Sequence, residues 1–333
     1  MNSLLTGLRR RPRLIAFIAI VAVVLLFFAS KSGRTKRVIA ATGAQGAGVV
    51  TAFAGPQWLA NMLDHVPPVK SLLETRPVCI VYFEATDSDS EPIDLSYLKD
   101  APFVESLHAS GIPGITDRDL GFIGQLKRLY LLRLEGQGIT DEGMRRLSEL
   151  QELAGLSIEN GAFTDDGLTC LAGMPNLTDL ALGGNTAFTG EGLRHLPDHG
   201  RLQSLYVAGT SFDHGLDQVD VSSLEVLHAD RTPLSDAGLV PLRDAHALEQ
   251  LTIAKTGVTD DGLLHLAALD NLEILIVSGT LVTQAGAERL AAQLPRVTIV
   301  YGPTNRDEWQ WAYGSEARPE SDETITAEPA TTD

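Results

Sequence analysis

The chain has 333 residues, a formal net charge of −17 and only 2 cysteines. Residues 1–37 carry 8 Lys or Arg and no acid, which leaves 18 basic against 43 acidic side chains in the remainder, a net of −25. Such a body repels phosphate backbones and argues against nucleic acid as a partner. Cys79 and Cys170, far apart in the chain, exclude a disulfide framework, a thiolate metal set and a CxxC redox pair.

Residues 1–13 form a basic tail. Residues 14–29, LIAFIAIVAVVLLFFA, are then uninterrupted apolar. As a helix they would rise about 24 Å, slightly short of the roughly 30 Å hydrocarbon core of a bilayer. Arg13 and Lys31 flank the run, and their long stems can snorkel to close that gap. Residues 14–30 are therefore expected to be an uncleaved single-pass transmembrane anchor. A cleaved signal peptide is the alternative. Phe28 in the small-residue position of the nearest cleavage-like site opposes it, and so does the basic run KSGRTKR that follows. Basic side chains balance across the segment, and the amino terminus tips the orientation towards an inside N-terminus and an extracytoplasmic body.

Residues 31–54 read as a linker, first basic and then rich in Gly and Ala. Within it VIAATGAQGAGVVTAF (38–53) resembles the phosphate-binding turn of Rossmann-type enzymes, with Gly43, Gly46 and Gly48. That turn needs a strand before it, a helix after it, and an acid ending a second strand. Here Gly55-Pro56 stop the helix, Asp64 belongs to the next amphipathic segment, and Pro67-Pro68 stand where a strand is wanted. Nucleotide-cofactor binding is thus a remote alternative and no cofactor is expected. The stretch reads as a flexible small-residue tether. Residues 55–77 follow, opening with GPQWLANMLDHV, whose Trp58, Leu59, Met62 and Leu63 suit a helix that caps the repeats.

From residue 78 to 302 the chain repeats itself. Leu129, Leu153, Leu177, Leu202, Leu224, Leu248 and Leu272 each open LxxLx, at intervals of 24, 24, 25, 22, 24 and 24 residues. Looser copies begin at Val78 and Val104, and a last strand at Val297, so about nine coils are expected. In each coil the LxxLxL block predicts a short strand, with Leu132 and Leu134 pointing in and Leu131 and Arg133 pointing out. A Thr-Asp pair then starts a helix. Its oxygens suit free backbone N–H groups, and the Asp suits the positive end of that same helix. Leucines three apart, such as Leu168 with Leu171 and Leu263 with Leu266, put an apolar stripe on the helix face towards the strand. One coil cannot bury both faces, so the coils must stack. Eight positions after the opening Leu stand Asn185, Thr210, Thr232, Thr256 and Thr280, a column suited to satisfying turn backbone groups. The coil at 202–223 carries SFDHGLDQVDVSS in place of a regular helix, which predicts a local break in the outer layer.

These units resemble leucine-rich repeats of the T-D-x-G-L kind, found in bacterial repeat proteins and in the repeat halves of F-box adaptors. The resemblance covers about two-thirds of the chain. It implies an α/β solenoid with a concave parallel β-sheet and outer helices, acting in protein interaction and without catalysis. No F-box-like segment precedes the repeats and the ladder lacks cysteine, so an adaptor role in ubiquitin transfer does not carry over.

Stacking aligns outward residues into columns about 4.8 Å apart. One column contains His108, Arg133, Ser157, Ala181, Tyr206, His228, Thr252 and Ile276. Two residues earlier stand Ser106, Leu131, Gly155, Asp179, Ser204, Val226, Gln250 and Ile274. The candidate binding surface is His108, Arg133, Asp179, Tyr206, Val226, His228, Ile274 and Ile276. Aromatic and Arg side chains favour interface anchors, and Leu131, Val226, Ile274 and Ile276 are expected to be exposed. His195 and His199 have the H-x3-H spacing of zinc ligands, but Pro197 lies between them and no further ligand is evident. TDSDSEPID (86–94) is acidic but lacks the Gly and terminal Glu of an EF-hand loop. No metal is expected, and no nucleophile-base set is spaced for hydrolysis. Residues 303–333 are acidic and Pro-containing and read as a largely disordered tail, with Trp309, Trp311 and Tyr313 available to cap the last coil. The expected function is a membrane-anchored scaffold, adaptor or receptor-like module for a protein partner. A structural spacer in the cell envelope is the alternative.

Overall fold

A computed structural model describes residue 40 and residues 47–53, 77–83, 94–110, 114–197, 201–294, 296–303 and 323–326. The anchor at 14–30, the capping segment at 55–66, His199 and the Trp309, Trp311 and Tyr313 cluster lie outside these residues.

A 12-stranded sheet runs the length of the described chain with its strands in sequence order. Its strands are β1 (Ala47–Phe53), β2 (Pro77–Phe83), β3 (Val104–Ala109), β4 (Leu131–Glu135), β5 (Gly155–Glu159) and β6 (Asp179–Ala181). Then come β7 (Ser204–Tyr206), β8 (Val226–His228), β9 (Gln250–Thr252), β10 (Ile274–Ile276), β11 (Thr298–Tyr301) and β12 (Glu323–Thr326). From β2 to β11 every pairing is parallel. At the ends β1 pairs antiparallel with β2, and β12 antiparallel with β11. Part of the stretch read as a tether, residues 47–53, is therefore a strand, as are residues 323–326 of the tail. A backbone donor row at the edge of a sheet recruits chain to it whatever the side chains are, and small-residue or acidic composition does not reveal that.

The period of the leucines explains the core. Leu132, Leu156, Leu180, Leu205, Leu227, Leu251, Leu275 and Ile299 are paired rung by rung and buried. Phe163, Phe188 and Phe212 add an aromatic column on the turn behind the strands, and the last two rings stack at 6.0 Å with 17° between planes.

The outer layer is mostly 3-10 rather than α. α-Helices occur at Asp117–Ile123, Asp141–Arg145, Asp260–Leu263 and Gln284–Ala291. Elsewhere the coils use 3-10 turns, for example Asp165–Gly173 and Asp236–Asp244. A 3-10 turn advances about 2.0 Å per residue against about 1.5 Å in an α-helix, so a short segment spans the coil's edge. The irregular coil is reduced to two three-residue turns, Leu216–Gln218 and Val221–Ser223.

The Thr-Asp pair starts its own helix as expected, and it also works between coils. Thr140 caps its own helix, its Oγ1 accepting from Glu142 N at 3.3 Å. Asp117 of the coil before accepts from Thr140 N at 2.8 Å and from Thr140 Oγ1 at 2.7 Å. The same clasp joins Asp141 to Thr164, Asp165 to Thr189, Asp236 to Thr259 and Asp260 to Thr283. The Gly of T-D-x-G is the seat of that carboxylate. A Cβ at Gly167 would lie 2.7 Å from Asp141 Oδ1, and one at Gly143, Gly262 or Gly286 closer still to its clasping Asp. The series lapses in the middle coils. Gly190 stands where an Asp is needed, with φ 114°, and the chain closes there backbone to backbone, Asp213 N donating to Thr189 O at 3.2 Å.

Candidate interaction surface

Within three residues after each of β4 to β10 stands a residue of positive φ, at Gly136, Asn160, Gly184, Gly209, Arg231, Lys255 and Gly279. The next position carries the ladder. Thr210, Thr232, Thr256 and Thr280 donate from Oγ1 to the carbonyl three residues back, at 2.7, 2.7, 2.6 and 2.6 Å. Asn185 does more, donating to Leu182 O at 2.6 Å and Ile158 O at 2.7 Å while accepting from Gly161 N at 2.7 Å. These turns hold the sheet's outer face in one register along the stack.

On that face the rungs align His108 with Arg133, Ser157, Ala181, Tyr206, His228, Thr252 and Ile276 in turn. Asp179 pairs with Gly155 and Ser204, and Val226 with Ser204 and Gln250. Three of the candidate residues share one hollow of about 630 Å³, namely Arg133, Asp179 and Tyr206. Its floor is made by small residues, Gly155, Ser157, Ala181 and Gly183, and Glu159 and Asn160 also line it. The hollow exists because successive coils put side chains without bulk between Arg133 and Tyr206.

The other candidates take different places. His228 is buried beside the hollow, its ring edge-on to Tyr206 at 4.9 Å and 80°. Burial pulls its pKa down to about 4, so the imidazole is neutral near pH 7 and fixes the tyrosine ring. His108 stands next to Arg133, with Nε2 2.8 Å from Ser106 Oγ. Burial and the Arg133 charge lower its pKa. Ile276 is buried rather than exposed, packed with Ala254 and Val300 and with Ile274 against them. Branched side chains on consecutive rungs, about 4.8 Å apart, close over one another. Leu131, Val226 and Ile274 are half-buried. Thus Ile274 and Ile276 belong to an apolar patch three strands beyond Tyr206, not to the hollow.

A third column, two residues further along, escaped the sequence reading. It supplies Glu159 to the hollow and the buried Asp230, whose Oδ2 accepts from Thr252 Oγ1 and Oδ1 from Ala254 N, both at 2.7 Å. Extending the count of outward positions by one pleat would have found both. Burial pushes the Asp230 carboxyl up to about 6, against hydrogen bonds that favour the anion. A raised carboxyl pKa gives stability that is full below about pH 4 and lost as pH rises through about 6. For His228, lowered to about 4 from 6.5, stability is present above 6.5 and lost as pH falls through 4. The two slopes oppose each other between about pH 4 and 6. Asp230→Asn is expected to remove the first slope and raise stability at pH 7 by on the order of 2 kcal/mol. Urea midpoints of the variant should then climb between pH 4 and 6.5, where those of the parent stay nearly flat. Parallel profiles would refute this.

Among the described residues no group of three His, Cys, Asp or Glu side chains could hold a metal ion. Cys170 is a free, buried thiol, pushed up to about 12 by burial.

No protein-family model matches the chain, and no curated protein does either. Solved structures do match. The crystal structure of an internalin (inlF) from Listeria monocytogenes aligns with a TM-score of 0.53 at 20% identity, over 68% of this chain and 61% of that one. An internalin C2 (inlC2) from the same organism aligns at a TM-score of 0.45 and 23% identity, over 63% of this chain and 84% of the other. The chain therefore spans about three-fifths of the internalin inlF chain. At this identity the likeness is one of fold. With a repeated strand-and-turn unit, a parallel ladder in one register and a solved counterpart of the same architecture, the chain is a leucine-rich-repeat solenoid.

Proposed function

We propose that this chain is a membrane-anchored leucine-rich-repeat protein whose outer sheet face holds a protein partner, with no catalytic step of its own. The hollow between Arg133 and Tyr206 carries this reading, because it combines an aromatic wall, a charged wall and an open floor on a rigid sheet. Alanine at Arg133 and at Tyr206 is expected to weaken a partner's binding about tenfold or more each, and at the exposed Arg133 the unfolding midpoint should stay put. Titration of an identified partner against each variant measures this, and unchanged affinity in both would remove the hollow from the interface.

The anchor is residues 14–30, with the solenoid outside the cytoplasm. The uninterrupted apolar run at 14–29 supports it. No helix among the described residues is long and apolar enough to cross a membrane, so the anchor rests on the sequence. Protease digestion of a C-terminal tag on intact cells, with a cytoplasmic control surviving, is the expected result. A second reading, a spacer in the envelope, draws on the inter-coil clasps, which stiffen the stack. A spacer would tolerate loss of Arg133 and Tyr206 without any change in what it contacts.

A further inference from the structure

The charges lining the hollow are arranged in an order that no contact within the described solenoid uses. Asp179 sits at the start of β6 and is exposed, its carboxylate accepting from Thr178 Oγ1 at 2.6 Å. Glu159 ends β5 and accepts from Ser157 Oγ at 3.2 Å. Neither carboxylate meets a cation among the described residues, and the exposed Arg133 guanidinium between them along the strand meets no carboxylate there. Asp179 pairs with Gly155, four residues before Glu159 on the neighbouring strand. At about 3.3 Å per residue and one strand spacing of about 4.8 Å, the two carboxylates' backbones stand roughly 14 Å apart. The midpoint falls on Ser157 and Ala181, which pair with Arg133 on one side and Tyr206 on the other. Along the strand direction the hollow therefore presents negative, positive, negative.

We infer that the hollow receives an extended segment of a partner protein with basic side chains at positions i and i+4 and an acidic one at i+2. This deepens the proposed function and rests on it. In an extended chain those three side chains share one face, and i to i+4 spans about 13 Å, which matches the carboxylate spacing. Lys or Arg at i meets Asp179 and the one at i+4 meets Glu159. The acid at i+2 meets Arg133, which can grip a carboxylate with two parallel N–H donors. The small floor lets the segment's backbone lie close to the sheet, and the Tyr206 ring closes the far side. The strong negative charge of the body adds long-range attraction for the two cations.

The test is selection from a phage-displayed library of random twelve-residue peptides on the full chain held in detergent micelles. The expected result is enrichment of Lys or Arg at i and i+4 with Asp or Glu at i+2. A synthetic peptide of that pattern should bind at least tenfold more weakly to Asp179→Asn and to Glu159→Gln. Both sites are exposed, so circular dichroism and the unfolding midpoint should not move. Enriched peptides of another pattern that still need Arg133 and Tyr206 would overturn this inference and leave the interaction surface standing. Peptides indifferent to all four residues would overturn both. Enrichment of nothing overturns the inference too, including the case in which the chain's own basic residues 31–37 fill the hollow.

Discussion

Asn185→Ala is expected to destabilise the solenoid by about 3 kcal/mol, because the buried Gly161 N and Ile158 O lose this partner together. Leu182 O keeps only the longer bond from the backbone N of residue 185, at 3.4 Å. Gly161 N, Ile158 O and Leu182 O all bond to this one side chain. The reason lies one coil back. Gly161 occupies the ladder position of its own coil and has no side chain, so Ile158 O, the carbonyl a threonine there would take, is left to Asn185. The longer amide thus serves two coils, where each threonine of the column serves one. Asn185→Thr should recover the bond to Leu182 O and leave the other two groups unpaired, giving most of that loss. Urea unfolding of both variants checks the order. A cost below about 1 kcal/mol for the alanine variant would mean that water or a backbone shift replaces the amide.

The second large effect concerns the inter-coil clasp. Gly262→Ala is expected to cost about 3 kcal/mol, since its Cβ would overlap Asp236 Oδ1 and approach Val258 Cγ1 to 3.0 Å. Asp236→Ala should cost about 2 kcal/mol by freeing Thr259 N and its hydroxyl, bonded at 2.8 and 2.7 Å. Combined, the two should cost less than their sum by about 1–2 kcal/mol, because removing the carboxylate makes room for the methyl. Strict additivity of the unfolding free energies would show that the glycine serves some purpose other than seating the aspartate.

Both sites show where reading the chain succeeds and where it stops. The ladder column, with Asn185 among its threonines, is visible in sequence because its members recur at a fixed offset from the opening leucine. What Asn185 reaches is not visible, since Gly161 is remote from it in sequence and adjacent only after stacking. The aspartate of T-D-x-G looks like a helix-start residue, and the negative charge does lie near a helix start. Its acceptor oxygens go to the next coil because coils pack about 4.8 Å apart, a spacing set by the sheet rather than by the helix. Outward columns follow from the two-residue period of strands, so Arg133, Tyr206 and Asp179 could be named in advance. Which of them share a cavity depends on the bulk of the residues between them, and the floor at Gly155, Ser157, Ala181 and Gly183 selects those three. The burial of Ile276 and Asp230 depends likewise on the neighbouring rungs.

By itself, the sequence determined the repeat length, the register of the parallel sheet, the leucine core and the ladder, because each is written as a periodicity and a stacked coil must satisfy the same contacts every turn. Tertiary structure alone decided the partners of the clasping aspartates, the edge strands β1 and β12 and the hollow. These are contacts between residues a full coil or more apart, and their geometry exists only once the neighbouring coil is in place.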